Sequence, residues 1–116
     1  MFVGGAIVTT SLIVSGCGIG ENKMFGLVAK ITSTPGERDN LISILLEGTA
    51  NMLGNISYDI AKDNENSDDI WITEVWDNQA NQEASLQLES VQTAIGKGRP
   101  LIAAMSRVAT TTPMAR

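Results

Sequence analysis

The stretch Ile70-Trp71-Ile72-Thr73-Glu74-Val75-Trp76-Asp77 holds the residues of this chain whose types and spacing best suit chemistry. Alternate residues of a strand share a face, so Glu74 falls on the side of Ile70, Ile72 and Trp76. A carboxylate set among apolar groups is costly as an anion unless it is paired, so it must find a cation or a donor, or hold its proton more tightly. Such a group is a candidate base for a phenolic hydroxyl. The plainer reading is a strand-end glutamate in a structural ion pair with Arg99 or Arg107. Trp71 and Trp76 are five residues apart and point to opposite faces. Trp76 is the one placed to offer a flat wall to an aromatic ligand, or else to fill a small core. Arg99 belongs to a basic tail of Lys97, Arg99, Arg107 and Arg116 with no acid after Glu89. It could stabilise a phenolate or a reduced-oxygen anion, or simply complement a helix end. Tyr58 is a pocket hydroxyl or ordinary strand filling, and the second is preferred.

The rest of the composition narrows the chemistry further. The chain has 116 residues, no His and a single Cys. A zinc cluster, an internal disulfide, a histidine base and a histidine haem ligand are therefore excluded, and no flavin, nicotinamide or metal site is visible. The formal charge of −5 argues against a nucleic-acid partner, which needs a basic surface. Residues 24 to 96 carry 3 basic and 12 acidic groups, whereas 97 to 116 carry four basic groups and none acidic.

These side chains need a frame. Phe25, Leu27, Ala29 and Ile31 alternate as a first strand, ended by Thr34-Pro35-Gly36. Leu41, Ile42, Leu45, Thr49 and Met52 recur at helical spacing, which predicts an amphipathic helix over 37–53, stopped by Gly54 as its C′ residue. Ile56, Tyr58 and Ile60 alternate in a second strand. Asp63 to Asp69 reads as a solvated loop, and residues 70–76 form the third strand. Residues 78–97 are helical in two pieces around Leu88 to Ser90, and the last strand runs from Leu101 to about Thr111. The order βαββαβ is the ferredoxin-like α+β topology, an antiparallel sheet with its helices on one face. The bare face is expected to expose an apolar patch, which a symmetric dimer of facing sheets would cover.

Five short segments in this order resemble the antibiotic biosynthesis monooxygenase family, in particular its small quinol-monooxygenase-like members. They are Pro35-Gly36, Ser57-Tyr58, Ile70 to Asp77, Ala84-Ser85-Leu86 and Gly98-Arg99-Pro100-Leu101-Ile102. The resemblance spans residues 24 to about 114. It implies a dimeric α/β barrel with a pocket in each subunit between sheet and helices, and oxidation of a quinol or polyphenol by O₂ without a cofactor. The alternative is a non-catalytic dimeric ligand-binding module of the same fold. Many relatives carry an Ala-His pair at the start of the second helix, where this chain has Ala80-Asn81. Asn81 can exchange hydrogen bonds but cannot take a proton near neutral pH. Ser85, one turn later on the same helix face, could add a hydrogen bond or be a packing residue.

Residues 1–23 read as a leader and linker, and 24–114 as the domain. The apolar run up to Val14 is shorter than the roughly 20 residues of a membrane-spanning helix. Val14-Ser15-Gly16-Cys17 resembles the lipobox of bacterial lipoproteins, with Cys17 as the acylated residue, in an exported and membrane-anchored protein. Phe2 to Ala6 is similar to the part of a twin-arginine signal after its arginines, which would put the start upstream. The other readings are a translated leader with Met24 as the start of a cytoplasmic protein, and an apolar tail with a buried thiol.

Overall fold

The computed structural model describes residues 23–114. The leader and Cys17 lie outside the described residues. The element order is β1 (Phe25–Ser33), α1 (Arg38–Gly48), β2 (Asn55–Lys62), β3 (Asp69–Trp76), α2 (Gln79–Ser85), α3 (Glu89–Gly98), a 3-10 turn (Arg99–Leu101) and β4 (Ile102–Thr111). All strand pairs are antiparallel and the sheet order is β2-β3-β1-β4. This is the βαββαβ, ferredoxin-like α+β fold expected, with the second helical segment split at residues 86–88.

Local chemistry accounts for the joints. Thr34 to Glu37 forms a turn closed by a Glu37 N–H to Thr34 carbonyl bond of 3.1 Å, with Pro35 second and Gly36 third at φ 79°. Proline presets the second position of such a turn, and the positive φ of the third needs glycine. Helix α1 is shorter than the 37–53 expected. It ends at Gly48, where Thr49 turns both its backbone N–H and its hydroxyl onto the Leu45 carbonyl, at 3.1 and 2.7 Å. Gly48 is also where α1 crosses α3, against Ala94 and too close for a Cβ. Gly54 is therefore no helix cap. Its φ of 82° serves the turn into β2, closed by Asn55 N–H to Met52 carbonyl at 3.1 Å.

The core lies between α1 and the sheet, around Ile31, Leu41, Ile70 and Ile72, with Ile42, Leu45, Tyr58, Ile60, Leu101 and Ile102 against it. Burying such side chains is worth about 1.5–3 kcal/mol each and holds α1 on the sheet. The opposite face mixes apolar and polar side chains, with Val28, Trp71 and Val75 partly exposed on it. It shows Thr73, Asp59 and Ala61 exposed, and the Lys30 ammonium 5.7 Å from the centroid of the half-buried Trp71 ring. Register turns Leu27, Ile31, Ile70 and Ile72 to the helix side and leaves these side chains on the other.

The 63–69 loop also departs from a plain solvated segment. Asp63 accepts the Trp71 indole N–H at 2.7 Å and the backbone N–H groups of Glu65 and Asn66 at 2.8 Å. These donors hold its carboxyl down at about 2. Arg38 ties α1 to the loop through the carbonyls of Asp63, Asn66 and Asp69 at 3.0–3.2 Å. Asp69, buried at the start of β3, accepts the Thr32 hydroxyl.

Candidate active site

The register builds a row across the helix side of the sheet. Tyr58 of β2 is opposite Glu74 of β3, Glu74 is opposite Leu27 of β1, and Leu27 is opposite Thr110 of β4. Glu74 is on the inner face as its parity requires, and is only 8% exposed. It accepts the Trp76 indole N–H at 2.8 Å, a contact two residues along the same strand face. Burial pushes the Glu74 carboxyl up, while the Trp76 hydrogen bond and the positive charge of Arg107 pull the other way. Burial, and then the charge of Glu74, raises the Tyr58 hydroxyl above its usual value. A carboxylate so held is a better proton acceptor than an exposed one.

Not every candidate joins this row. Trp76 is fully buried, so it presents no open wall to a ring and instead orients Glu74. Asn81 stands at the first turn of α2. Its backbone N–H is capped by the Asn78 side chain at 2.8 Å, and its side chain donates to Asp77 at 2.8 Å. That latch closes over Gly54, where a Cβ would fall 2.5 Å from the Asn81 Nδ2. Ser85, 6% exposed, donates its hydroxyl to the Gln82 carbonyl at 2.6 Å and is committed to its own helix. Arg99 is at the wrong end of the sheet. Thr34 N–H bonds the Leu101 carbonyl at 2.8 Å, which anchors the 3-10 turn beside the end of β1. Glu74 is level with Leu27, some six residues back along β1, or about 20 Å.

The cation near Glu74 is Arg107, exposed and opposite Ala29 on the helix side of β4. It makes no ion pair with Glu74. The ion pairs among the described residues are Lys62 with Asp39 and Lys97 with Glu47. The structural ion pair anticipated for Glu74 is thus replaced by an indole hydrogen bond and a more distant charge. Met105, Arg107 and Thr110 all remain exposed on this side, so the helices leave β4 open. Among the described residues no group of three or more His, Cys, Asp or Glu side chains could hold a metal ion.

The family model for antibiotic biosynthesis monooxygenases matches residues 24–97. The chain belongs to this family. Solved structures agree in fold. A candidate antibiotic biosynthesis monooxygenase from Chloroflexus aurantiacus J-10-fl is 51% identical, with 80% of this chain and 95% of that one covered at a TM-score of 0.77. A candidate antibiotic biosynthesis monooxygenase from Caulobacter crescentus CB15 is 14% identical, covering 84% and 96% at a TM-score of 0.74. A Pseudomonas aeruginosa protein is 22% identical, covering 80% and 96% at 0.70. The last two speak for the fold alone. No curated protein matches the chain. As a member of the antibiotic biosynthesis monooxygenase family, this chain has the sheet-and-helix frame of its relatives, with an asparagine latch at position 81 and a buried glutamate on β3.

Proposed function

We propose that the protein is a cofactor-independent monooxygenase that oxidises a small electron-rich aromatic, a quinol or polyphenol, with O₂. The observation that carries the reading is Glu74, a nearly buried carboxyl with raised proton affinity on the inner sheet face of a chain in this family. Loss of a ring-hydroxyl proton to Glu74 leaves an electron-rich anion that reduces O₂ directly. One oxygen atom enters the ring and the other leaves as water, so a quinol becomes a hydroxyquinone. Trp76 fixes the carboxylate through its N–H, Arg107 takes the charge-stabilising part first considered for Arg99, and Asn81 holds α2 over this end of the sheet. Oxygen uptake and quinone absorbance across a panel of quinols test this. Absence of turnover with every quinol would sink it.

A second reading is a non-catalytic dimeric module that binds an aromatic ligand. It is favoured by the closed surface of Trp76 and by Asn81 standing where an imidazole is expected. Tight binding without oxygen uptake would select it. In either case the functional unit is a homodimer through the sheet faces, a reading supported by the side of the sheet that no helix covers, with Val28, Trp71 and Val75 partly exposed on it. We further propose acylation at Cys17 and membrane anchoring of an exported chain. Replacing Cys17 by Ser should then release the protein from the membrane fraction.

A further inference from the structure

A cleft of about 430 Å³ opens at the Glu74 end of the sheet, with Lys23, Phe25, Gln79 and the consecutive Thr110, Thr111 and Thr112 in its lining. Phe25 is opposite Trp76, and Thr110 is opposite Leu27, the cross-strand neighbour of Glu74. Thr110 of the cleft and the buried Glu74 therefore lie on the same side of the sheet, separated by two interstrand spacings, about 10 Å. One wall is fixed by a close approach. Gly26 lies so near the Thr111 hydroxyl that no Cβ fits, and Pro113 packs beside it.

The lining supplies one ammonium, one amide and three hydroxyls, and no carboxylate. Gln79 makes only a long 3.3 Å contact to Glu83, which leaves its second amide hydrogen available. The next cation on this surface is Arg107, three residues before Thr110. In a domain whose residues 24–96 are strongly acidic, a cleft lined by a lysine and by no carboxylate favours an anion over a cation. A single ammonium balances a monoanion, and a cleft at the small end of ligand pockets suits one ring.

The geometry points to this cleft as the anchor for a carboxylate substituent on the aromatic substrate. Lys23, Gln79 and the threonine hydroxyls hold the carboxylate, Phe25 flanks the ring, and the hydroxyl end of the ring points toward Glu74, from which the buried Leu27 separates the cleft. The assignment rests on Glu74 as the base, and the test separates the two. The full chain is titrated calorimetrically with 2,5-dihydroxybenzoate and with its methyl ester, while oxygen uptake is followed in parallel. The acid should bind about tenfold more tightly than the ester, as a charge-assisted contact requires. That preference should shrink with added salt. Lys23→Gln, at an exposed position, should abolish the preference and leave ester binding and Tm unchanged. Equal binding of acid and ester, no binding of either, or an equal loss of both in Lys23→Gln would overturn the assignment. Charge-selective binding without oxygen uptake would uphold the cleft and reject the base.

Discussion

Glu74 is held by opposing forces, and each can be removed separately. Replacing it with Gln keeps the shape and an acceptor for the Trp76 indole but removes the base. The rate should fall about 100-fold or more, with a much smaller change in substrate affinity. Equal loss of both, or of folding, would make Glu74 structural. The same variant has a stability signature. The Glu74 carboxyl is raised in the folded protein, so its contribution is fully present below its unfolded pKa and is lost as pH rises through the folded one. Glu74→Gln should therefore match the parent near pH 4 and melt higher than it at pH 7. Asp63 has the opposite sign. Its carboxyl is held down at about 2, so its contribution is present above the ordinary value of 3.8 and disappears as pH falls through about 2. Asp63→Asn should lower Tm at pH 7, and the difference should close on acidification. A constant gap down to pH 2 would contradict the indole and backbone contacts assigned to it.

The elements were legible in the sequence wherever alternation or turn chemistry was local. The four strands, the Pro35-Gly36 turn and the inward parity of Glu74 all follow from spacing. What was not legible depends on partners distant in sequence. Helix α1 needs a glycine at position 48 because Ala94 of α3 comes within Cβ distance, and nothing near residue 48 announces that crossing. Arg107 rather than Arg99 acts on Glu74 because Arg99 lies in the 3-10 turn at the far end of the sheet while β4 pairs Arg107 with Ala29, a register that no local pattern encodes. Trp76 looked like a pocket wall from its strand position, but how deeply the helices bury it is a tertiary fact. Two substitutions probe these joints. Gly48→Ala should cost about 1–3 kcal/mol by overpacking α1 on α3, read as a lower denaturant midpoint with an unchanged slope. Asn78→Ala, which removes the side chain that caps α2 at the Asn81 N–H, should cost about 1 kcal/mol.

At the scale of the molecule, the open question for assembly is what covers the side of the sheet away from the helices. That face carries Val28, Trp71 and Val75, all partly exposed, among smaller polar side chains. It also offers a cation over an indole, and beside it lies an edge strand exposed along nearly all of its length. An edge of that kind is managed in natural proteins by charge, irregularity or cover. Here the irregularity at Val28 and Ala29 and the charge of Arg107 serve only the middle of β4, and a second copy would cover the rest. Sedimentation equilibrium should accordingly give twice the chain mass of 12.3 kDa. Thr73 is exposed on this face, opposite Val28 and Asp59, and is remote from the helix-side core. Thr73→Arg should leave the monomer fold intact while placing an unpaired charge at the centre of the contact, weakening the dimer by several kcal/mol. A parent that sediments as a monomer, or a Thr73→Arg variant that remains dimeric, would reject the facing-sheet arrangement. If the variant dissociates and oxygen uptake falls with it, the second subunit completes the site; if uptake persists, each sheet-and-helix unit is sufficient by itself.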